Sequence, residues 1–330
     1  MQRSRIGEAP VFKIILIGVI VVSLVTAGFF LLRRWENNRG DFPEHETLVE
    51  VLEHDGVEFV LRENVETFLV LGLDKFDGAS SADSYNNDKQ ADFLMLFVFD
   101  NDAKRYTAIH INRDTMVEMN VLGVAGNKVD TVYKQIALSH TYGNGRDVSC
   151  HNTANSISSL LLGVKVSHYA SLTMDSVAVM NDLVGGVEVL IEDDFTGIDD
   201  TLVKGETVRL KGDQALNYVR TRQGLEDSSN STRMQRQQQY INALCDALSK
   251  CAEEDDEFIV DVSVKMSDYL ISDRSVTQLQ DLANKFSQYE FTGVESLEGE
   301  SVLGKEFMEF YPNQESVKDM VIELFYEPKK

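Results

Sequence analysis

TFLVLGL at Thr67–Leu73, FLMLFVF at Phe93–Phe99 and RYTAIHI at Arg105–Ile111 decide the fold. The first two are short, nearly continuous apolar runs, the pattern of strands buried on both faces. The third alternates apolar and polar residues, as a strand does. Asp100-Asn101-Asp102 between the last two reads as a hairpin turn, so the sheet is expected to be mixed rather than purely parallel. Helical patterns are expected at Asp130–Thr141, Asn152–Leu162, Asp175–Val184, about Ser231 to Cys251, Thr277–Phe286 and Ser316–Phe325. Further strands are expected at Val187–Ile191 and Phe258–Val262. Strands alternating with helices predict an α/β fold, an α/β/α sandwich with a mixed central sheet.

Upstream, Ile14–Leu32 is a run of 19 uncharged, mostly apolar residues. As a helix it would be about 28 Å long, the thickness of a bilayer core. The run ends in Arg33-Arg34 with no small-residue cleavage pattern, so it reads as an uncleaved transmembrane helix preceding the sandwich. Arg3, Arg5 and Lys13 precede it and Arg33, Arg34 and Arg39 follow, so flanking charge leaves its orientation undecided. Residues 33–64 are polar, without a strong period, and read as a stalk.

The formal charge of −23 over 330 residues excludes a duplex nucleic-acid binder, which needs a basic face. An anionic ligand must therefore meet a local basic cluster or a metal ion. The three cysteines, Cys150, Cys245 and Cys251, build no disulfide framework, and the six histidines show no HxxxH or HxH spacing. The acidic run Glu253–Glu257 reads as a solvated loop.

The basic cluster lies in Tyr218–Tyr240, where Arg220, Arg222, Arg233 and Arg236 meet only Glu226 and Asp227. Arg220 and Arg222 would share one side of an extended segment. Arg233, Arg236 and Gln237 share one helix face with Tyr240, Leu244, Ala247 and Leu248, so two arginines should aim at the core. Two readings compete: internal ion pairs with the abundant carboxylates, or a phosphate or pyrophosphate held by several forked donors. Strand ends add charge, with Asp74 after the first strand, Asp92 before the second, and Arg113-Asp114 after the third. Open α/β sheets often place sites at such ends. Two aspartates near a pyrophosphate would suit Mg²⁺.

These segments together resemble the LytR-CpsA-Psr family of polyprenyl-linked glycan phosphotransferases. The resemblance rests on LGLD at 71–74, DFLML at 92–96, NRDT at 112–115, NKVDTVY at 127–133, LVGGVEV at 183–189, ALNYVRTR at 215–222 and RMQRQQQ at 233–239, in one order across roughly residues 65 to 326. It implies residues 1–13 as a cytoplasmic tail, 14–32 as the membrane anchor, 33–64 as an extracellular stalk and 65–326 as the catalytic domain. It implies Mg²⁺ at Asp74 and Asp92, and a pyrophosphate held by Arg113, Arg220, Arg222, Arg233 and Arg236 with Gln237 beside them. Asp114 would orient Arg113 or neighbouring groups, Asp92 or Asp114 would serve as base, and Lys128 and Asp227 would lie near the phosphate. The implied donor is an undecaprenyl-pyrophosphate-linked glycan at the membrane, and the acceptor a hydroxyl of peptidoglycan or another wall polymer. Phosphoglycan transfer would release undecaprenyl phosphate. Two other readings stay open: hydrolysis of the same lipid-linked donor, and a non-catalytic module that senses lipid-linked precursors. The sequence departs from the family where an arginine usually precedes the second metal-site aspartate by two residues. Here that position is Gln90, beside Lys89. The loop Gly78–Asn87 is also longer than the family pattern implies.

Overall fold

The computed structural model describes residues 51–73, 90–123, 126–221, 224, 230–255, 258–286 and 288–329. Strands are β1 (Val51–His54), β2 (Val57–Leu61), β3 (Val65–Leu73), β4 (Ala91–Asp100), β5 (Arg105–Ile111), β6 (Met116–Leu122), β7 (Lys128–Gln135), β8 (His168–Thr173), β9 (Val187–Leu190) and β10 (Thr207–Leu210). They continue with β11 (Leu270–Ser272), β12 (Glu290–Ser296), β13 (Gly299–Leu303), β14 (Met308–Pro312) and β15 (Tyr326–Pro328). Helices are α1 (Asp147–Leu160), α2 (Asp175–Leu183), α3 (Asp213–Arg220), α4 (Asn230–Glu254), α5 (Phe258–Met266), α6 (Val276–Phe286) and α7 (Gln314–Phe325).

The three apolar runs become the centre of a six-stranded sheet of order β11-β8-β3-β4-β5-β12. β3 pairs antiparallel with β4 and parallel with β8. β4 pairs antiparallel with β5, and β5 parallel with β12. The sheet is therefore mixed, as the early hairpin predicts. Alternation divides its side chains. Leu69, Leu71, Leu94, Leu96, Ile109 and Ile111 meet α1 and α7 on one face. Phe68, Val70, Met95, Phe97, Phe99 and Ala108 meet α6 on the other. Each fully buried side chain of this size contributes about 1.5–3 kcal/mol. A further apolar cluster joins α2, β9, β10, α3, α4 and α5 beside the sheet.

Several expectations change. Residues 51–61, read as stalk, fold as the β1–β2 hairpin, and β2 also pairs with β15, which starts at the expected domain end, Tyr326, and runs past it. Backbone pairing with the C-terminal strand overrides a weak local pattern. The helix expected at Asp130–Thr141 is instead β7 followed by a 3-10 turn at Ile136–Thr141. Val129, Thr131, Val132 and Tyr133 favour a strand, and Gly126 with φ +79 lets the chain turn back onto β6. Phe258–Val262 is helical rather than extended, because Phe258, Val262 and Met266 bury one face four residues apart. The expected membrane span at 14–32 lies outside the described residues, and among those described no helix is long and apolar enough to cross a membrane.

Candidate phosphate-binding site

The site begins with an irregularity between β3 and β4. Gly72 pairs with Phe93 and Leu73 with Ala91, which leaves Asp92 as an extra residue on β4. Such a bulge re-aims one side chain at a strand end. At the end of the neighbouring β5, Arg113 meets it: Arg113 Nη1 donates to Asp92 Oδ1 and Nη2 to Gln90 Oε1. Arg113 Nε lies 3.6 Å from Asp114 Oδ1 but has no hydrogen-bond acceptor among the described residues. Asn112 shapes the loop, since its Oδ1 accepts from the Asp114 N–H at 2.9 Å and its carbonyl accepts from Thr115 Oγ1 at 2.6 Å. Gln135 Nε2 donates to Asp114 Oδ1 at 3.2 Å. Asp114 is thus buried and engaged by Asn112 and Gln135, with its carboxylate beside the Arg113 guanidinium.

On α4, the predicted face is the buried one: Arg233, Arg236, Gln237, Tyr240 and Leu248 are all 6% exposed or less. The two arginines have different surroundings. Arg236 Nε donates to the Tyr218 carbonyl at 3.0 Å, Nη1 to Asp193 Oδ2, and Nη2 to the Thr221 carbonyl. Its guanidinium also lies over the Phe195 ring, 5.7 Å from the centroid. Internal pairing is therefore the reading that describes Arg236, a correction to its expected phosphate contact. Gln237 likewise donates Nε2 to the Val219 carbonyl at 3.2 Å. Arg233 is charged against His110, a buried β5 histidine whose ring lies 5.0 Å from Phe93. Burial, then the Arg233 charge, push the His110 pKa down to about 4. His110 belongs to this site and was missed, because a lone histidine in an alternating strand carries no motif.

The other predicted residues are placed less centrally or fall outside. Arg220 ends helix α3 and is exposed, rather than extended beside Arg222. Lys128 is exposed at the far end of β7 from Gln135. Seven residue steps at about 3.3 Å put it some 23 Å along the strand from the end that touches Asp114, so its expected place near the phosphate is corrected. Asp74, Arg222 and Asp227 lie outside the described residues. β3, which leads to Asp74, ends at Leu73 opposite Ala91, next to Asp92. Among the described residues no three His, Cys, Asp or Glu side chains gather to hold a metal ion.

Behind the site an apolar cleft runs between the sheet and α2, α4 and α5. Val70, Phe93, Met95, Met180, Tyr240 and Leu244 are among its walls, which leave ≈ 920 Å³ unfilled by protein atoms, the open mouth included. Gly72 and Gln237 also line it. A Cβ on Gly72 would meet Phe93 Cβ at 2.8 Å, so the cleft passes where the sheet has no side chain to fill it. Chemically the arrangement offers an arginine-bearing anion site beside carboxylates, continuous with a wall for a long apolar ligand.

Comparison with known proteins follows the same outline. The model of the LytR_cpsA_psr family matches residues 43–324. The chain is 27% identical over 239 residues, 71% of this chain and 70% of the other, to the polyisoprenyl-teichoic acid–peptidoglycan teichoic acid transferase TagU of Enterococcus faecalis. It is 28% identical over 169 residues to the cell wall biosynthesis protein LcpA of Corynebacterium glutamicum, 46% of this chain and 32% of that one. Among solved structures, TagT bound to LI-WTA superposes with a TM-score of 0.58 at 22% identity, covering 79% of this chain and 90% of that one. Bacillus subtilis TagV gives 0.57 at 20% identity, covering 80% and 98%. The structural likeness concerns the fold.

Proposed function

Since the chain belongs to the LytR-CpsA-Psr family, we propose that it transfers a phosphoglycan from an undecaprenyl-pyrophosphate-linked donor to a hydroxyl of peptidoglycan or another wall polymer. The observation that carries the reading is the joining of an arginine–carboxylate cluster to an apolar cleft, one part suited to each half of such a donor. The names of the TagU and LcpA relatives support the same reading. The polyprenyl chain lies in the cleft, where about 0.8 kcal/mol per buried methylene holds it. Arg113 and Arg233 face the pyrophosphate, because forked donors suit phosphate oxygens and neutralise charge that grows as the bond breaks.

An acceptor hydroxyl attacks the sugar-linked phosphorus. Its O–P bond forms while the P–O bond to the lipid phosphate breaks, and undecaprenyl monophosphate leaves. Asp92 or Asp114 takes the hydroxyl proton. Asp92 with Asp74 would hold Mg²⁺, and a site of two carboxylates completed by phosphate oxygens is compatible with the absence of a denser ligand cluster among the described residues. That ion, when bound, supplies further charge neutralisation at the phosphates. The membrane anchor expected at 14–32 would keep the domain beside its lipid substrate outside the cell.

The test is turnover by the full chain in detergent with Mg²⁺, a labelled undecaprenyl-pyrophosphate oligosaccharide and wall glycan. Release of lipid monophosphate should accompany label entering the glycan, and Arg113→Ala should lower transfer about 10²–10³-fold, the usual cost of losing one charge-stabilising donor. Lipid monophosphate without labelled glycan would replace transfer with hydrolysis. Donor bound without turnover would make the protein a sensor.

A further inference from the structure

Among the described residues, most of the large apolar side chains that face solvent lie on two neighbouring hairpins. Val129 and Tyr133 stand on β6–β7, and Val302, Leu303, Phe307, Met308 and Tyr311 on β13–β14. Leu303 is 76% and Phe307 63% exposed. Such a concentration marks a binding surface more often than chance scatter. Both hairpins are tied to the loop that carries Arg113. The Phe310 N–H donates to the Asp114 carbonyl at 2.9 Å, and Thr115 forms a bridge with Phe310. Gln135 Nε2 donates both to Asp114 Oδ1 and, at 2.6 Å, to the Met308 carbonyl. Tyr133 is two residues from Gln135 on β7 and so shares its face, roughly 7 Å along the strand. The hydroxyl of Tyr311 donates to Glu309 Oε2 at 2.6 Å while its ring stays partly open to solvent.

We infer that these two hairpins are the docking surface for the acceptor glycan strand, an inference that rests on the transferase reading. The chemistry selects this occupant. A sugar ring has an apolar C–H face and a hydroxyl rim, which match an exposed aromatic ring with a polar edge. The surface is continuous with the Asp114 loop, so a strand lying over Tyr133 and Tyr311 presents a hydroxyl at the arginine–carboxylate cluster. An anionic bilayer would demand basic residues. The two hairpins instead carry Glu118, Asp130, Glu300, Glu306 and Glu309 against Lys128, Lys134 and Lys305, an acidic balance.

The experiment measures binding of soluble, uncrosslinked peptidoglycan glycan strands to the full chain in detergent, and separately the acceptor KM. The Tyr133→Ala/Tyr311→Ala double variant should bind the strands about tenfold more weakly, toward the low end for two lost ring contacts, and raise the acceptor KM by a similar factor. Its affinity for the labelled lipid-linked donor should hold. Val203→Ser, an exposed apolar position outside both hairpins, should bind strands as the parent does. Unchanged strand affinity in the double variant, or no strand binding by the parent chain, overturns the inference. So does loss of binding to phosphatidylglycerol–phosphatidylethanolamine vesicles in place of glycan, which would make the hairpins a membrane contact. Strand binding that depends on the tyrosines, in a chain that transfers nothing, supports the docking surface and rejects the transferase reading alone.

Discussion

Two arginines set two regions of the molecule against each other. Arg113, at the end of β5, is held by side chains: Asp92, Gln90 and, at 3.6 Å, Asp114. Arg236, in the first turns of α4, is held by the carbonyls of Tyr218 and Thr221 together with Asp193. Side-chain acceptors can rotate away when a better anion arrives, whereas backbone carbonyls of a folded segment cannot. The first arrangement is an exchangeable charge, the second a bolt between α4 and the segment after α3. Two residues that look alike on paper thus differ in whether their partners can be exchanged.

That division can be broken by mutation, and the largest effect is expected at Arg236. Arg236→Ala leaves Asp193 and two carbonyls without their partner, at a cost of about 3–5 kcal/mol for a broken buried pair. Denaturant unfolding should show that loss, with Arg113→Ala costing clearly less. Equal losses would erase the distinction. The next effect concerns His110, between the two regions. Its folded pKa of about 4 lies below the ordinary histidine value of 6.5, so below pH 6.5 the unfolded chain binds a proton that the folded chain refuses. Stability contributed by the neutral ring is therefore complete above pH 6.5 and declines as pH falls toward 4. The full difference is worth about 3 kcal/mol. His110→Phe should flatten the fall in Tm between pH 6.5 and pH 4 relative to the parent, and parallel curves would reject the assignment. The smallest effect is at Gln90. Gln90→Leu removes one acceptor from Arg113 and should leave folding within about 1 kcal/mol. Donor KM should change by only a few-fold, measured at limiting donor. A change as large as that of Arg113→Ala would mean that Gln90 itself touches the donor.

The same contrast explains what could be read from the sequence. β3, β4 and β5 were legible because continuous burial leaves a continuous apolar run, and Asp92, Arg113 and Asp114 were legible because charges interrupt those runs at their ends. The buried face of α4 was legible from its spacing of three and four. The partner of Arg236 was not, since Asp193 lies 43 residues away and only the tertiary fold brings it there. β7 was misread because Lys128–Gln135 mixes polar and apolar residues without a buried face of its own. Its strand character comes from pairing with β6. Residues 51–61 were misread for a similar reason: β15, which completes their sheet, comes from the other end of the chain.

That last sheet also shapes the domain's handling. Val51 pairs with Val60, and Val60 with Glu327, so the first and last strands among the described residues stand two strands apart, roughly 10 Å. Arg62 Nε donates to the Tyr326 carbonyl at 2.9 Å and the Lys329 N–H to the Glu58 carbonyl at 2.8 Å, which seals the seam. In topology the described part of the chain, from Val51 to Lys329, is almost a closed ring. A short peptide joining Lys329 to Val51 would complete it, and the ring could then be cut elsewhere on the surface without unpicking the core. Conversely, a tether pulling on the first strand loads the last one through β2, so the fold bears tension across a three-strand hem that stands apart from the six-stranded central sheet.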